Sequence, residues 1–352
     1  MVTIKEVSQK SQVSIATVSH VLNHTKYVSD EVRQRVLDVV KETGYKPNKI
    51  AKSLKMKKSK TIGLIVAYIE NPVYSSIFKV IEKTARANGY SVIVCNSDDN
   101  PDTEETQIEF LLSCRVDGLI VVPAKNSKMA ADQMIPAGFP LVLLSRRLAG
   151  YRATSIGIDN TNIAEAAVSH LIEVHGISRI AAVIGERTNM TSKERLEGYK
   201  RALHKHNIAF DPKLVCDGHS TFQGGASAAD TLINNPAPPE AVFIMGTNMM
   251  LGAMWQLKKM QVNCPNDIAV IGFSDSNVNV WMDPPLSSVV QPTQDMGTLA
   301  VESLLRQMEE DETELQTIVL PCSINYRRSC GCSWEPTIEM HDPDCTFIPE
   351  II

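Results

Sequence analysis

Four residues near the N-terminus have the side chains of base recognition: Ile15, Ala16, Ser19 and His20. Residues i and i+4 stack on one side of a helix, so a helix capped by Ser14 gathers all four on one face. The small apolar pair can touch thymine methyls, and the imidazole can donate to guanine N7 or O6 or meet a phosphate. Val18, Val21 and Leu22 fill the opposite face. Ile4 and Val7 sit at helical spacing just upstream, and Val13 and Ser14 interrupt the period. Two short helices joined by a tight turn, with a small mixed reading face, suit a DNA major groove. An ordinary helical hairpin is the alternative for this stretch taken alone.

Charge separates the two readings. Residues 1–60 hold thirteen Lys or Arg against five Asp or Glu, net +8, while the rest of the 352-residue chain is net −13. A basic end attracts phosphate without sequence preference, and an acidic body confines that contact to one end. Ser29, with Asp30 and Glu31 behind it, is placed to open a third helix that runs through Val36 and Val40 to a stop at Gly44. In the following YKPNKIAKSLKMKKSK, Asn48 can cap a brief helix with Ile50 and Leu54 one turn apart among Lys49, Lys52, Lys55, Lys57 and Lys58. An exposed Leu on so basic a helix reads as packing surface or as a wedge between base steps in the minor groove; the lysines favour the wedge.

From Thr61 apolar runs alternate with amphipathic segments. TIGLIVAYI, YSVIVCNS, VDGLIVVPA and PLVLLS read as strands, and the pattern repeats in ISRIAAVIG, AVFIMG and IAVIGF. Helices are expected over residues 77–88, 104–114, 193–206, 222–234 and 249–260. The alternation predicts two doubly wound parallel-sheet subdomains meeting at a cleft, with ligands beyond the strand carboxyl ends. Candidate cleft residues are Tyr74, Arg146, Asn189, Thr191, Arg195, Ser220, Phe222 and Asp275, with Glu194, Glu197 or Asp275 as structural partners for Arg195.

Sequence motifs extend this reading. TIKEV, the VS..TVSHV.N pattern from Val13, the Y-x-P-N element at Tyr45 and AKSL at Ala51 are joined by IGLI at Ile62, VDGLIV at Val116, RLEGY at Arg195, PNDIAVIGFSD at Pro265 and PPLSSVVQP at Pro284. Together they resemble the lactose-repressor and galactose-repressor family of bacterial transcription regulators, the headpiece being most similar to purine repressors. The resemblance implies an all-α helix-turn-helix headpiece (1–46), a hinge helix and linker (47–60), and an α/β core (61–330) similar to periplasmic sugar-binding proteins. The N-subdomain would span about 61–160 and 291–321 and the C-subdomain about 161–290 and 322–330, with crossings near Asn160, Gln291 and Pro321 and a tail over 331–352. It also implies a homodimer on pseudo-palindromic double-stranded operator DNA, controlled by a small polar effector such as a sugar. DNA contacts would come from Thr3, Ser14, Ile15, Ala16, Thr17, Ser19, His20, Asn23, Tyr45, Lys52, Leu54 and Lys55. Ser145 and Ser274 stand where the family commonly has Asp, and Thr247 where Asn or Asp is usual, so these three join the candidate effector residues.

No membrane partner is expected, since no run approaches the ~18 apolar residues of a span, and no secretory signal is evident. A cytoplasmic location with reduced thiols follows for the eight scattered cysteines. No phosphate-cradling glycine loop, nucleophile elbow or His-x-x-x-His pair is present, so no catalytic residue and no cofactor is expected. Cys330-Gly331-Cys332 with His341 and Cys345 invites a zinc reading, but the spacing is poor and no metal is expected. The rival function is a solute-binding protein or sugar-modifying enzyme with an incidental helical N-terminus; a signal peptide or a catalytic carboxylate pair would mark it, and neither is visible.

Overall fold

A computed structural model describes residues 2–23, 25–45, 58–129, 134–148, 150–309 and 314–334. The chain divides into two units, Met1–Ser59 and Lys60–Ile352.

In the first unit, helices α1 (Ile4–Ser11), α2 (Ile15–Asn23) and α3 (Asp30–Thr43) close around Val7, Val18, Val21 and Val36. Ser14 Oγ accepts the Thr17 N–H at 3.0 Å and starts α2, as its spacing predicts. Thr3 caps α1 in the same way through the Glu6 N–H. Ser29 occupies the N-cap of α3 but its hydroxyl makes no cap bond; Asp30 and Glu31 in the first turn supply the negative charge that a helix start favours. Gly44, at φ +63°, ends α3 in the left-handed conformation.

The second unit holds two six-stranded sheets with the same winding. The first contains β1 (Thr61–Val66), β2 (Ser91–Asn96), β3 (Gly118–Val121), β4 (Leu141–Leu144), β5 (Thr154–Ile158) and β11 (Thr317–Leu320), ordered β11-β5-β4-β3-β1-β2. The second contains β6 (Ile180–Ile184), β7 (Val215–Asp217), β8 (Ala241–Ile244), β9 (Ala269–Phe273), β10 (Ser287–Val290) and β12 (Ser323–Asn325), ordered β12-β10-β9-β8-β6-β7. All described pairs are parallel except β10 with β12. The doubly wound parallel sheets expected from the sequence are present, and the short strand β12, reached only after the chain has passed through β11 of the other sheet, closes the second one antiparallel to β10.

Helices cover both faces of each sheet. In the first half these are α4 (Pro72–Ala87) and α5 (Pro101–Ser113), joined by α11 (Thr293–Glu309). Ile62 and Leu64 face Ile77 and Ile81 of α4 and Val301 and Leu304 of α11, while Ile65 points to Ile108 and Leu111 of α5. Strand alternation thus feeds two separate cores. In the second half α6 (Asn160–His175) and α7 (Met190–Lys205) lie on one face, and α8 (Phe222–Ile233) and α9 (Thr247–Lys259) on the other, with the short α10 (Asn277–Trp281) between β9 and β10. The α8 and α9 backbones approach closely because Gly225 and Gly252 lack side chains: a Cβ at either would meet a carbonyl oxygen of the other helix at 2.0 or 1.9 Å. The chain passes from one sheet to the other after β5, after β10 and between β11 and β12.

Candidate effector cleft and nucleic-acid interface

A cleft of about 810 Å³, open mouth included, runs between the carboxyl ends of the two sheets. Tyr68 follows β1, Ser145 and Arg146 follow β4, and Asn71 and Tyr74 stand at the start of α4. The other wall carries Asn189, Thr191 and Arg195 before and along α7, Ser220 after β7, Thr247 at the start of α9 and Ser274 after β9. Gln291 and Met296 complete it. Ser145 and Ser274 occupy equivalent places, each just after the fourth strand of its half. Both have left-handed backbones, φ +63° and +77°. Such strain at a strand end marks positions where a side chain is being aimed.

Arg146 donates through Nη1 to Asp99 and, at 2.8 Å, to the Pro123 carbonyl. Asp99 is fully buried and also accepts the Lys125 N–H at 2.9 Å, the Tyr68 hydroxyl at 3.3 Å and, from the other half, Asn189 Nδ2 at 3.2 Å. Asp99 thus links the two halves behind the cleft wall. Arg195 donates to Asn160 Oδ1 and the Met245 carbonyl, both at 2.8 Å, and lies 3.7 Å over the Phe273 ring. Burial pulls its pKa down to about 10, so it stays cationic at neutral pH. Its bonds go to neutral acceptors; Glu194 instead takes Arg147 and Asn160, Glu197 takes Arg201 and Asp275 takes Arg327. Three buried polar atoms in the cleft residues lack a partner: Ser145 Oγ, Arg146 Nε and Thr247 Oγ1. Buried groups of this kind ordinarily bond something, and here the open space is the cleft.

Of the candidate effector residues, Tyr74, Ser145, Arg146, Asn189, Thr191, Arg195, Ser220, Thr247 and Ser274 line this one cavity. Phe222 does not: it begins α8, is part-exposed and packs beside Trp255. Asp275 does not either, because Arg327 turns it toward β10 and the closing segment with a two-pronged pair at 2.6 and 2.8 Å. Asp99 and Tyr68 are not among the sequence candidates, and Asn160 and Gln291 enter the sequence reading only as crossing points between the subdomains.

In the headpiece Ile15 is 46% exposed and Ala16 is open beside it, while Val18 and Val21 are buried. The Thr17 hydroxyl lies 2.9 Å from Ser14 Oγ, and Asn23 Nδ2 donates to the Ser19 carbonyl and hydroxyl. Tyr45 packs partly against the valine core. His20 Nδ1 is 2.8 Å from Thr25 Oγ1, which leaves Nε2 for a base or phosphate. Lys52, Leu54 and Lys55 lie outside the described residues. His20→Ala is expected to cost about 1 to 3 kcal/mol on a specific site and to relax preference at one base pair per half-site. Fluorescence anisotropy on specific and random duplexes checks this; equal weakening of both makes His20 a phosphate contact.

A helix-turn-helix unit in one chain with a two-lobed binding core defines a ligand-responsive DNA-binding regulator. Residues 3–48 match the family model of bacterial regulatory proteins, lacI family, and residues 168–330 match a periplasmic binding protein-like domain. The chain is 30% identical over 329 residues to the ribose operon repressor of Haemophilus influenzae, covering 94% of this chain and 98% of that protein. Among solved structures it is similar to the lac repressor dimer bound to operator and the anti-inducer ONPF (26% identity, TM-score 0.83, 94% and 99% covered). It is also similar to a complex of the transcriptional regulator CelR with cellobiose (28%, TM-score 0.71, 94% and 100% covered). The chain belongs to the lacI family of bacterial regulatory proteins and is a DNA-binding transcriptional regulator.

Proposed function

We propose that the protein is a cytoplasmic homodimeric repressor whose affinity for a pseudo-palindromic operator is set by a sugar or acidic sugar derivative held in the cleft. The observation that carries the effector class is the lining itself. None of the described lining residues is a carboxylate, hydroxyls and amides dominate, and Ser145 Oγ, Thr247 Oγ1 and Arg146 Nε are without partners. A polyol supplies acceptors and donors to all three, and Tyr68 and Tyr74 offer flat walls for a ring. Arg195, bonded to neutral groups, is placed for an acidic substituent. The family's usual Asp positions are Ser145 and Ser274, so the acceptors that hold vicinal hydroxyls are replaced by groups that both donate and accept.

On the DNA side the reading rests on the exposed Ile15–Ala16 face and His20, with Lys52, Leu54 and Lys55 as sequence-based candidates for the minor groove. The role is binding without catalysis, as in the regulators it resembles. Binding the effector changes how the two halves sit, and a coupling of about 1 to 3 kcal/mol would change operator affinity roughly 5- to 150-fold.

Calorimetric titration of the full chain with neutral sugars, sugar acids and sugar phosphates, followed by operator binding with the best ligand, tests the assignment. Thr247→Val removes one unpartnered hydroxyl and is expected to weaken that ligand about 2- to 12-fold while leaving effector-free operator affinity unchanged. A ligand whose affinity ignores Thr247→Val and Ser145→Ala alike binds elsewhere.

A further inference from the structure

Away from the cleft, folding gathers four side chains that sequence spacing keeps apart. His170 and His175 come from the last turns of α6; Cys330 and Cys332 come from the short helical turn after β12, 157 to 162 residues away in the pairs that touch. The two imidazole Nε2 atoms are 3.3 Å apart. Cys332 Sγ lies 3.4 Å from the His170 Nε2 and 3.5 Å from the His175 Nε2, and Cys330 Sγ lies 3.7 Å from the His170 Nε2. All four donor atoms fall within 4.8 Å of one another.

The four separations of 3.3 to 3.7 Å are close to the edges of a tetrahedron around one ion, and the widest pair, within 4.8 Å, would have to draw in to complete it. With Zn–N of about 2.0–2.1 Å and Zn–S of about 2.3 Å, tetrahedral angles place N and N about 3.3 Å apart and N and S about 3.6 Å apart. A network of hydrogen bonds explains the cluster less well. Only one proton can lie between two imidazole nitrogens facing each other, and a thiol is a weak donor and a weak acceptor. The surroundings also fit an orienting shell: the Tyr326 ring stacks on His170 with centroids 3.8 Å apart. Gly331, between the two cysteines, has φ +103°, and a Cβ there would come within 3.1 Å of the His175 ring. Only glycine lets the Cys-x-Cys loop close on that imidazole without a shift.

We propose that His170, His175, Cys330 and Cys332 form a structural zinc site that fastens the segment after β12 onto the end of α6. Two nitrogen and two sulfur donors in a tetrahedral set suit Zn²⁺, and four protein ligands leave no open position for chemistry. The partners sought for the Cys-x-Cys pair in the tail, His341 and Cys345, lie outside the described residues. The site works beside a second fastening of the same segment, the Arg327 pair with Asp275, so the segment over residues 327–332 is held at two points on the second half.

Metal analysis and cobalt substitution test the site on the reduced full chain. One zinc per chain is expected after purification without chelator, and Co²⁺ exchanged for it should give the thiolate charge-transfer and tetrahedral ligand-field bands of an S₂N₂ site. Cys332→Ser and His170→Asn should each lose the stoichiometric metal and the cobalt spectrum, whereas Cys114→Ser, at an exposed thiol outside the cluster, should keep both. Chelation should lower the thermal midpoint of the wild-type chain and leave Cys332→Ser unmoved. A wild-type chain that yields no tetrahedral cobalt spectrum overturns the proposal, and this holds even if the variants fail to fold. Unchanged metal content in both variants overturns it equally.

Discussion

A chain that begins at Thr61 is expected to bind operator DNA no better than an acidic protein does, and to keep its effector affinity. The net charge is +8 over residues 1–60 and −13 over the remainder, so truncation removes the phosphate-binding end and leaves a body that repels DNA. The base-reading face, Ile15, Ala16 and His20, goes with it. Specific binding by such proteins commonly exceeds non-specific binding by about 10³ to 10⁷, and both terms are lost here. The cleft, by contrast, is built entirely from residues between Tyr68 and Met296, and the second unit contains every helix and strand that positions them. Anisotropy at ~50 mM salt, where phosphate contacts are strongest, should show no binding by the truncated chain. Tight operator binding by that fragment would remove the headpiece assignment. Loss of effector binding in the fragment would show instead that the core depends on the headpiece to fold.

The sequence showed most clearly what repeats at short range. Apolar runs such as TIGLIVAYI and IAVIGF announce buried parallel strands because both faces are covered, and the valine spacing of the headpiece announces its core. The apolar period begins later than the helices do, at residue 77 for the helix that starts at Pro72 and at 104 for the one that starts at Pro101. In both, Asn71 and Asn100 cap the helix and proline takes its first position, a signal that lies upstream of the apolar period. The strands β5, β7, β10, β11 and β12 are not legible because each carries Ser, Thr, Asp or Asn and so forms no continuous apolar run, whereas β3, β4 and β8, equally short, sit inside one.

At the site the same division holds. Strand-end residues are legible, since every strand must stop somewhere near the cleft. Partners are not. Asp275 reads as a cleft carboxylate until Arg327, 52 residues later, takes it. Asp99 has no motif or spacing that singles it out, and only the convergence of Arg146 and Asn189 on it shows its place. The Cys-x-Cys pair reads as an isolated tail feature because its imidazoles come from a helix more than 150 residues upstream. Long-range pairing leaves no period in the chain for a local reading to find.

Asp99→Asn is expected to be the most destabilising conservative change in the core. The carboxylate has no solvent exposure and is, among the described residues, the sole carboxylate paired with the Arg146 guanidinium, whose side chain is 10% exposed. Asn tolerates the left-handed backbone at this position, φ +53°, so the substitution removes charge with little change of shape. The attraction of such a pair is largely cancelled by the cost of drying both ions, but removing one partner leaves the other buried and uncompensated, which costs about 3 to 5 kcal/mol. At roughly 2 to 4 °C per kcal/mol for domains approaching this size, the thermal midpoint should fall by about 10 °C. Two comparisons separate charge from packing. Asn189→Ala removes only the 3.2 Å bond that joins the halves and should cost about 1 kcal/mol of stability, its main effect being on effector affinity and cleft closure. Asp99→Asn combined with Arg146→Gln removes the unpaired cation, so the double variant should be more stable than Asp99→Asn alone, with a coupling of about 0.5 to 3 kcal/mol in the cycle. Differential scanning calorimetry of five proteins, the wild-type chain, Asp99→Asn, Arg146→Gln, their double variant and Asn189→Ala, gives all three quantities. If Asp99→Asn melts with the wild-type chain, the buried ion pair with Arg146 does not stabilise the first half of the core.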